Sequence, residues 1–214
     1  MAYFGPLTRR DPYETRPDGA YYGYARYRVA ISEDCREYCG YCGSHQDSFG
    51  GIHGMETDHF RPWRKPFGPN NERRFEHLRD DPKNLVHSCG ICNRFKSDHW
   101  PTEDPSLPFD GEKGWIEPFI ENRLNFFEVD GDGTVNALKP PAEYQIRILR
   151  LNRPLLKRLR EKAILEAEFR AYAARCRPQW ERIVADEVGT PHATTARQAL
   201  HALDLAEAAL SGMK

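Results

Sequence analysis

Two short cysteine pairs constrain this chain more than any other feature: Cys39-Gly-Tyr-Cys42 and Cys89-Gly-Ile-Cys92. Each C-x-x-C presents two thiolates from one tight turn, and two such turns supply the four soft ligands of a tetrahedral structural zinc site. Glycine follows Cys42 directly, where a knuckle of this kind often needs a positive φ. Forty-six residues, 43 to 88, separate the pairs, too many for a simple ribbon. The pairs are therefore expected to clamp the two ends of something folded between them; the plain alternative is a set of unrelated buried cysteines. Cys35 is a substitute for Cys39 at a looser fit, and Cys176, on a predicted helix, is most simply a core residue.

Composition sets the context for those cysteines. Six in 214 residues are too few for a disulfide scaffold, and the N-terminal stretch has no apolar run after its charges, so metal binding is the better default. No apolar run approaches the roughly 20 residues that span a bilayer, and a soluble, cytoplasmic protein is expected. With 31 Lys and Arg against 32 Asp and Glu, a uniformly basic coat is excluded, and any nucleic-acid surface must be local.

Residues 1–38 read as an N-terminal arm and a helix: 1–20 are rich in Pro, Gly and charge and are not a core element, and in the AYYGYARYRVAI that comes next Tyr24, Tyr27 and Ile31 suit a helix, while Tyr22, Tyr24 and Val29 partly suit a strand. Residues 39–100 carry the chemistry. Residues 101–140 include RLNFFEVDGDGTVNAL, two β-favouring runs joined by Asp-Gly-Asp-Gly, a hairpin signal. The same DGDG resembles the start of a calcium loop, but Pro141 stands at the twelfth position, where an acidic ligand is required. Residues 141–214 turn helical, with apolar stripes through Leu155, Leu159, Ala163, Leu165 and Phe169, then a final helix after Gly189-Thr190-Pro191. These stripes predict core and helix-packing faces.

Between the cysteine pairs stands Met55-Glu56-Thr57-Asp58-His59-Phe60-Arg61-Pro62, a segment that could be a short strand carrying Glu56, Asp58 and His59. Asn84 opens a second short strand to Ser88, and Ile91 to His99 predicts a helix ended by Pro101. In order, the motifs are CGYC at 39–42, DHFRP at 58–62 and NLVHSCGICNRFK at 84–96. Together they resemble the HNH endonuclease family, over about the middle third of the chain. The fold class implied is α+β: a ββα-metal, zinc-stapled nuclease core with a β-hairpin and a C-terminal helical region.

The resemblance implies roles residue by residue. Cys39, Cys42, Cys89 and Cys92 would hold structural zinc. His59 would be the general base that activates water against a phosphodiester. Asp58 and Asn93 would ligate a catalytic divalent ion. Strand alternation puts Asp58 and His59 on opposite faces unless the strand end distorts, as it does in the family. Asn84 would tie the loop between the strands and hold His59 in orientation. Oxygen donors favour Mg²⁺ or Mn²⁺ over a catalytic zinc. Glu56 should share the face of Asp58, as a supporting group for the metal or as an ordinary solvated carboxylate. The position of a further family ligand is Ser97, with Asp98 and His99 next; His53 and His87 are expected to be surface or packing residues.

Nucleic acid is held largely through phosphates. Arg61, Arg64, Lys65, Arg73, Arg74, Arg94 and Lys96 are candidates for that contact, with Trp63 or Phe67 for stacking, against the alternative of a solvated charged loop. DNA is the expected partner, with RNA also open. A second basic cluster lies at 153–162. The segment 137–164, with its pattern I..L.LN...L...R, is similar to longer HNH proteins of bacterial anti-phage systems, of Septu or retron-linked type. That likeness implies an ABC-type ATPase partner. The rival to an enzyme is a zinc-stapled nucleic-acid or protein binding module without catalysis, which explains the cysteines but not Asp58, His59, Asn84 and Asn93 in family order.

Overall fold

The computed structural model describes residues 3–102, 104 and 106–212, with side chains up to Leu210. Strand β1 (Met55–His59) pairs antiparallel with β2 (Leu85–Cys89), in a register that sets Met55 opposite Cys89 and His59 opposite Leu85. Every residue of β2 is buried, His87 included. Its last residue, Cys89, is also the N-cap of helix α2 (Gly90–Lys96), so strand, knuckle and helix share one residue. Helix α2 stops three residues earlier than the sequence predicts. Ser97 takes a positive φ of 48°, which turns the chain out of the helix before Asp98 and His99.

Helix α1 (Arg28–Asp34), entered through a 3₁₀ turn at Tyr24–Tyr27, covers the other side of β2. Tyr27, Ile31 and Cys35 pack there with Leu85, and Leu7 and Tyr13 join them. The N-terminal lead-in thus corrects an expectation: it has no regular element, yet Phe4, Leu7 and Tyr13 are core residues. A Pro- and Gly-rich stretch can still contribute isolated large side chains to a core.

The hairpin forms where the sequence places it, with β3 (Phe127–Val129) and β4 (Val135–Ala137) antiparallel and the Asp130 N–H on the Thr134 carbonyl at 2.8 Å. Helix α3 (Ala142–Ile148) follows, then the long α4 (Pro154–Asp186) and α5 (Pro191–Gly212). The pattern I..L.LN...L...R has a packing explanation at each letter. Leu149, Leu151 and Leu156 have no exposed surface and Ile146 packs against them. Asn152 closes on β4, accepting from the Val135 N–H (2.8 Å) and donating to its carbonyl (2.9 Å). Arg160 is fully buried and donates to the carbonyls of Gly133 and Leu151.

The chain divides into two compact units, one ending at Arg160 and one beginning at Glu161. The first holds a mixed helix and strand fold with two small sheets and the main hydrophobic core. In the second, Ala173, Ala193, Ala196 and Leu203 are buried, and Arg177 bridges to Asp204 (2.8 Å) and Glu207 (3.0 Å). The predicted packing stripe is only partly covered: Leu165 is 58% exposed and Cys176 half-buried, so neither is the core residue expected. No helix among the described residues is long and apolar enough to cross a membrane.

Candidate active site and metal centres

The two knuckles close on each other across the sheet. The sulfur atoms of Cys39, Cys42, Cys89 and Cys92 all lie within 4.8 Å of one another, and all four residues are buried. Zinc–sulfur bonds of about 2.3 Å set tetrahedral sulfurs about 3.8 Å apart, so this donor set fits structural zinc. Backbone donors aim at the sulfurs: the Cys89 N–H at Cys39 Sγ (3.3 Å) and the Cys92 N–H at Cys89 Sγ (3.5 Å). Gly43 has φ of +72°, as the knuckle requires. Gly40 has a different reason, since a Cβ there would lie 2.5 Å from Val86 Cγ1. Cys35 is outside the cluster, with burial pushing its thiol up to about 12.

Residues beyond the knuckles complete this centre, and nothing in the sequence pattern announced them. Arg153, at the head of α4, points Nη2 at Cys92 Sγ (3.6 Å) and Cys89 Sγ (3.7 Å). Four thiolates around Zn²⁺ leave two net negative charges, which a guanidinium beside them offsets. Arg123 is buried and donates to the carbonyls of Gly40 (2.8 Å) and Gly5 (2.7 Å), tying the first knuckle to the N-terminal segment.

On the other side of the sheet end, a cleft of about 300 Å³ is lined by Asp58, His59 and Asn93, with Tyr24, Trp63, Arg64 and Asp98 around them. Asp58 and His59, neighbours at the end of β1, both line it. His59 Nε2 lies 2.8 Å from the Arg79 carbonyl. A carbonyl only accepts, so the proton belongs on Nε2 and Nδ1 is left as the basic nitrogen. The imidazole meets Tyr24 edge-on (4.8 Å between centroids) and Trp63 at 6.1 Å. Burial lowers the His59 pKa below its ordinary value, against the opposing pull of the Arg79 carbonyl and the Asp58 carboxylate. Neutral His59 is the favoured form near pH 7.

Asp58 is buried, and its Oδ2 takes both the Tyr41 hydroxyl and the Lys96 ammonium, the latter at 2.9 Å. Among the described residues no hydrogen bond falls on Oδ1. Asn93 donates Nδ2 to Glu56 Oε2, which turns its amide oxygen away from that carboxylate. One carboxylate and one amide oxygen in a single open cleft fit a hard divalent ion that completes its shell with water and phosphate. Glu56 is exposed while Asp58 is buried, so the two do not share an environment; Glu56 orients Asn93.

Several expected contacts fall elsewhere. Lys96 cannot meet phosphate: it is fully buried, bound to Asp58 and to the His59 carbonyl (2.8 Å). Phe67 packs on Phe75 inside the core and is not a stacking platform. Asn84 does tie the loop, accepting from the Arg61 N–H (2.9 Å) and donating to the carbonyls of Arg61 (3.0 Å) and Leu78 (3.3 Å). It does not touch the imidazole, which Arg79 holds instead. Arg61 is half-buried and faces Glu117 at 3.6 Å, away from the cleft. Arg73 and Arg74 are exposed and face Glu76 (3.7 Å) and Glu72 (3.8 Å), Lys65 is half-buried beside Phe67, and Arg94 is exposed on α2. The cluster at 153–162 is largely committed too, with Arg153 on the sulfurs, Lys157 on Asp132 (2.8 Å) and Arg160 buried. His99 leaves the cleft for the Tyr144 hydroxyl, and His87 is buried against α1, beside Ser32, as a packing residue.

Among curated proteins none matches this chain. Residues 39–99, which contain both knuckles and most of the cleft, match the family model described as HNH endonuclease, and this part of the chain is an HNH domain with a four-cysteine cluster compatible with zinc.

Proposed function

We propose that the protein is a metal-dependent endonuclease that hydrolyses phosphodiester bonds in DNA, with His59 as general base. The HNH family is one of nucleases, which supports nuclease activity at the level of the family. The observation that carries the finer reading is the bond from His59 Nε2 to the Arg79 carbonyl, which leaves Nδ1 free to take a proton in the same cleft as Asp58 and Asn93. Nδ1 would remove a proton from water as its oxygen attacks phosphorus and the bond to the 3′ oxygen breaks, and the departing 3′ oxygen would take a proton from solvent water, giving 5′-phosphate and 3′-hydroxyl ends. Asp58 and Asn93 would hold Mg²⁺ or Mn²⁺, whose charge polarises the phosphate and stabilises the leaving oxygen. Lys96 and Tyr41 fix the Asp58 carboxylate from behind, and Asn84 fixes the loop that carries Arg79.

The test is plasmid nicking with Mg²⁺ or Mn²⁺, comparing wild type with His59→Ala. Cutting by the wild type and its loss in the variant support the reading. Equal DNA binding by both with no cutting under any metal condition would establish the binding module instead.

A place in anti-phage defence with an ABC-type ATPase belongs to the same proposal at a finer level. It is supported by the resemblance over 137–164 and by exposed apolar side chains on the C-terminal helices, including Leu165, Tyr172 and Leu205. Co-purification with a neighbouring ATPase, and stimulation of nicking by it, is the expected result. Full autonomous cleavage that the ATPase leaves unchanged would count against the partnership.

A further inference from the structure

Most cations of the basic loop already face carboxylates of the chain. Arg61 faces Glu117, Arg73 faces Glu76, Arg74 faces Glu72 and Lys83 faces Asp11. Two guanidinium groups differ. Arg64 has no carboxylate within ion-pair distance among the described residues, and Arg79 has only Asp80, at 4.0 Å. Both lie over the same indole: the Arg64 guanidinium carbon is 4.6 Å from the Trp63 ring centroid and that of Arg79 is 5.0 Å.

That shared indole is also beside the imidazole, 6.1 Å from it, and the Arg79 carbonyl is the group that anchors His59 Nε2. Arg64 itself lines the cleft. A guanidinium resting its face on an aromatic ring keeps its in-plane N–H groups pointing outward and loses part of its rotamer freedom before any ligand arrives. Two such groups, held on one platform and little neutralised by the chain, match the bidentate geometry of phosphate oxygens.

We propose that Arg64 and Arg79, held over the Trp63 indole, form a preformed grip for the sugar–phosphate backbone of a nucleic-acid strand and seat it beside His59. The inference rests on the nuclease reading and adds to it the residues that hold substrate. Trp63 acts here as the platform for two arginines, not as a stacking surface for a base. Because the Arg79 carbonyl holds the base while its side chain meets phosphate, one residue sets the strand's position relative to the attacking water.

The experiment uses the full, zinc-loaded chain with His59→Ala, which binds without cutting. Fluorescence anisotropy of a labelled oligonucleotide is followed across a series of salt concentrations. Arg64→Gln and Arg79→Gln are each expected to weaken binding several-fold and to reduce the salt slope by about one. Arg16→Gln removes one exposed charge elsewhere and is expected to leave the slope unchanged. Trp63→Ala should weaken binding by itself and make the two arginine substitutions less than additive, while Trp63→Phe retains part of the effect. Slopes for Arg64→Gln and Arg79→Gln equal to the parent overturn the grip, as does an equal loss in Arg16→Gln. Parallel nicking by the wild-type chain separates the two readings. Cutting with unaltered slopes overturns the grip alone, whereas neither cutting nor binding by any version overturns both.

Discussion

Lys96 and Asp58 form a buried ion pair, with Nζ 2.9 Å from Oδ2 and no exposed surface on the lysine. Removing one member of such a pair leaves the other charge uncompensated in the interior. Lys96→Met is therefore expected to cost about 3 kcal/mol of stability, in the range typical of a broken buried pair. Urea unfolding of the zinc-loaded protein measures it. Combining Lys96→Met with Asp58→Asn should recover part of that stability without recovering cleavage. A single substitution as stable as wild type would show that the pair is not compensated in this way.

With His59 as the proposed base, the pH dependence of cleavage follows from its imidazole. His59 must be neutral to accept a proton, and burial lowers its pKa, so the neutral form persists to lower pH than for an ordinary histidine at about 6.5. The sign is then fixed: the rate rises with pH through the lowered value and levels off above it. A plot of log kcat/KM against pH should show its acidic midpoint below about 6.5. Tyr24→Ala, by admitting water to the imidazole, should move that midpoint upward. A midpoint above 7 in the wild type would contradict the role of burial.

Zinc should be present at one ion per chain and be required for the fold. Cys89→Ser is expected to lose both zinc and the folded sheet, read by metal analysis and circular dichroism. Arg153 gives a subtler test, since its guanidinium lies beside two of the sulfurs. Arg153→Met should weaken zinc retention about tenfold, within the usual range for partners of metal ligands. Transfer of zinc to a chelating dye reports it, and Arg153→Lys should fall between the two.

Asn84 controls the loop and not the imidazole directly. It is buried and bonds the backbone of Arg61 and Leu78, the residue before Arg79. Asn84→Ala leaves those backbone groups without their partner, a loss of roughly 2 kcal/mol. It should also lower kcat more than it raises KM, because the Arg79 carbonyl would no longer be fixed under His59. A change confined to stability, with kcat intact, would limit Asn84 to a purely structural part.

The parts of the site that could be read from residue order are those whose chemistry depends on identity and short spacing. Cys39 and Cys42, like Cys89 and Cys92, announce themselves because two thiolates from one turn have few other uses. The hairpin at 127–137 was legible because Asp-Gly-Asp-Gly fits few backbones other than a turn. By contrast, Phe4 and Tyr13 were hidden in a stretch whose prolines and glycines pointed to solvent, and Leu165 stands exposed in a stripe that pointed to a core. Local pattern reports how a segment folds and not whether a neighbour covers it.

The cations show the same division most plainly. A lysine in sequence is a charge of unknown fate, and the sequence grouped Lys96 with Arg64 and Arg61 as equals. Packing separated them: Lys96 is sealed behind Asp58, Arg61 faces Glu117, and Arg64 is left over Trp63 at the cleft. Arg79 and Arg153 acquired their places through contacts 20 and 61 or more residues away in the chain, to His59 and to the second knuckle. The sequence by itself determined the two cysteine knuckles and the order of the strands between them. Only the tertiary structure decided which charges are neutralised and which stay available, because that depends on partners brought together across the fold.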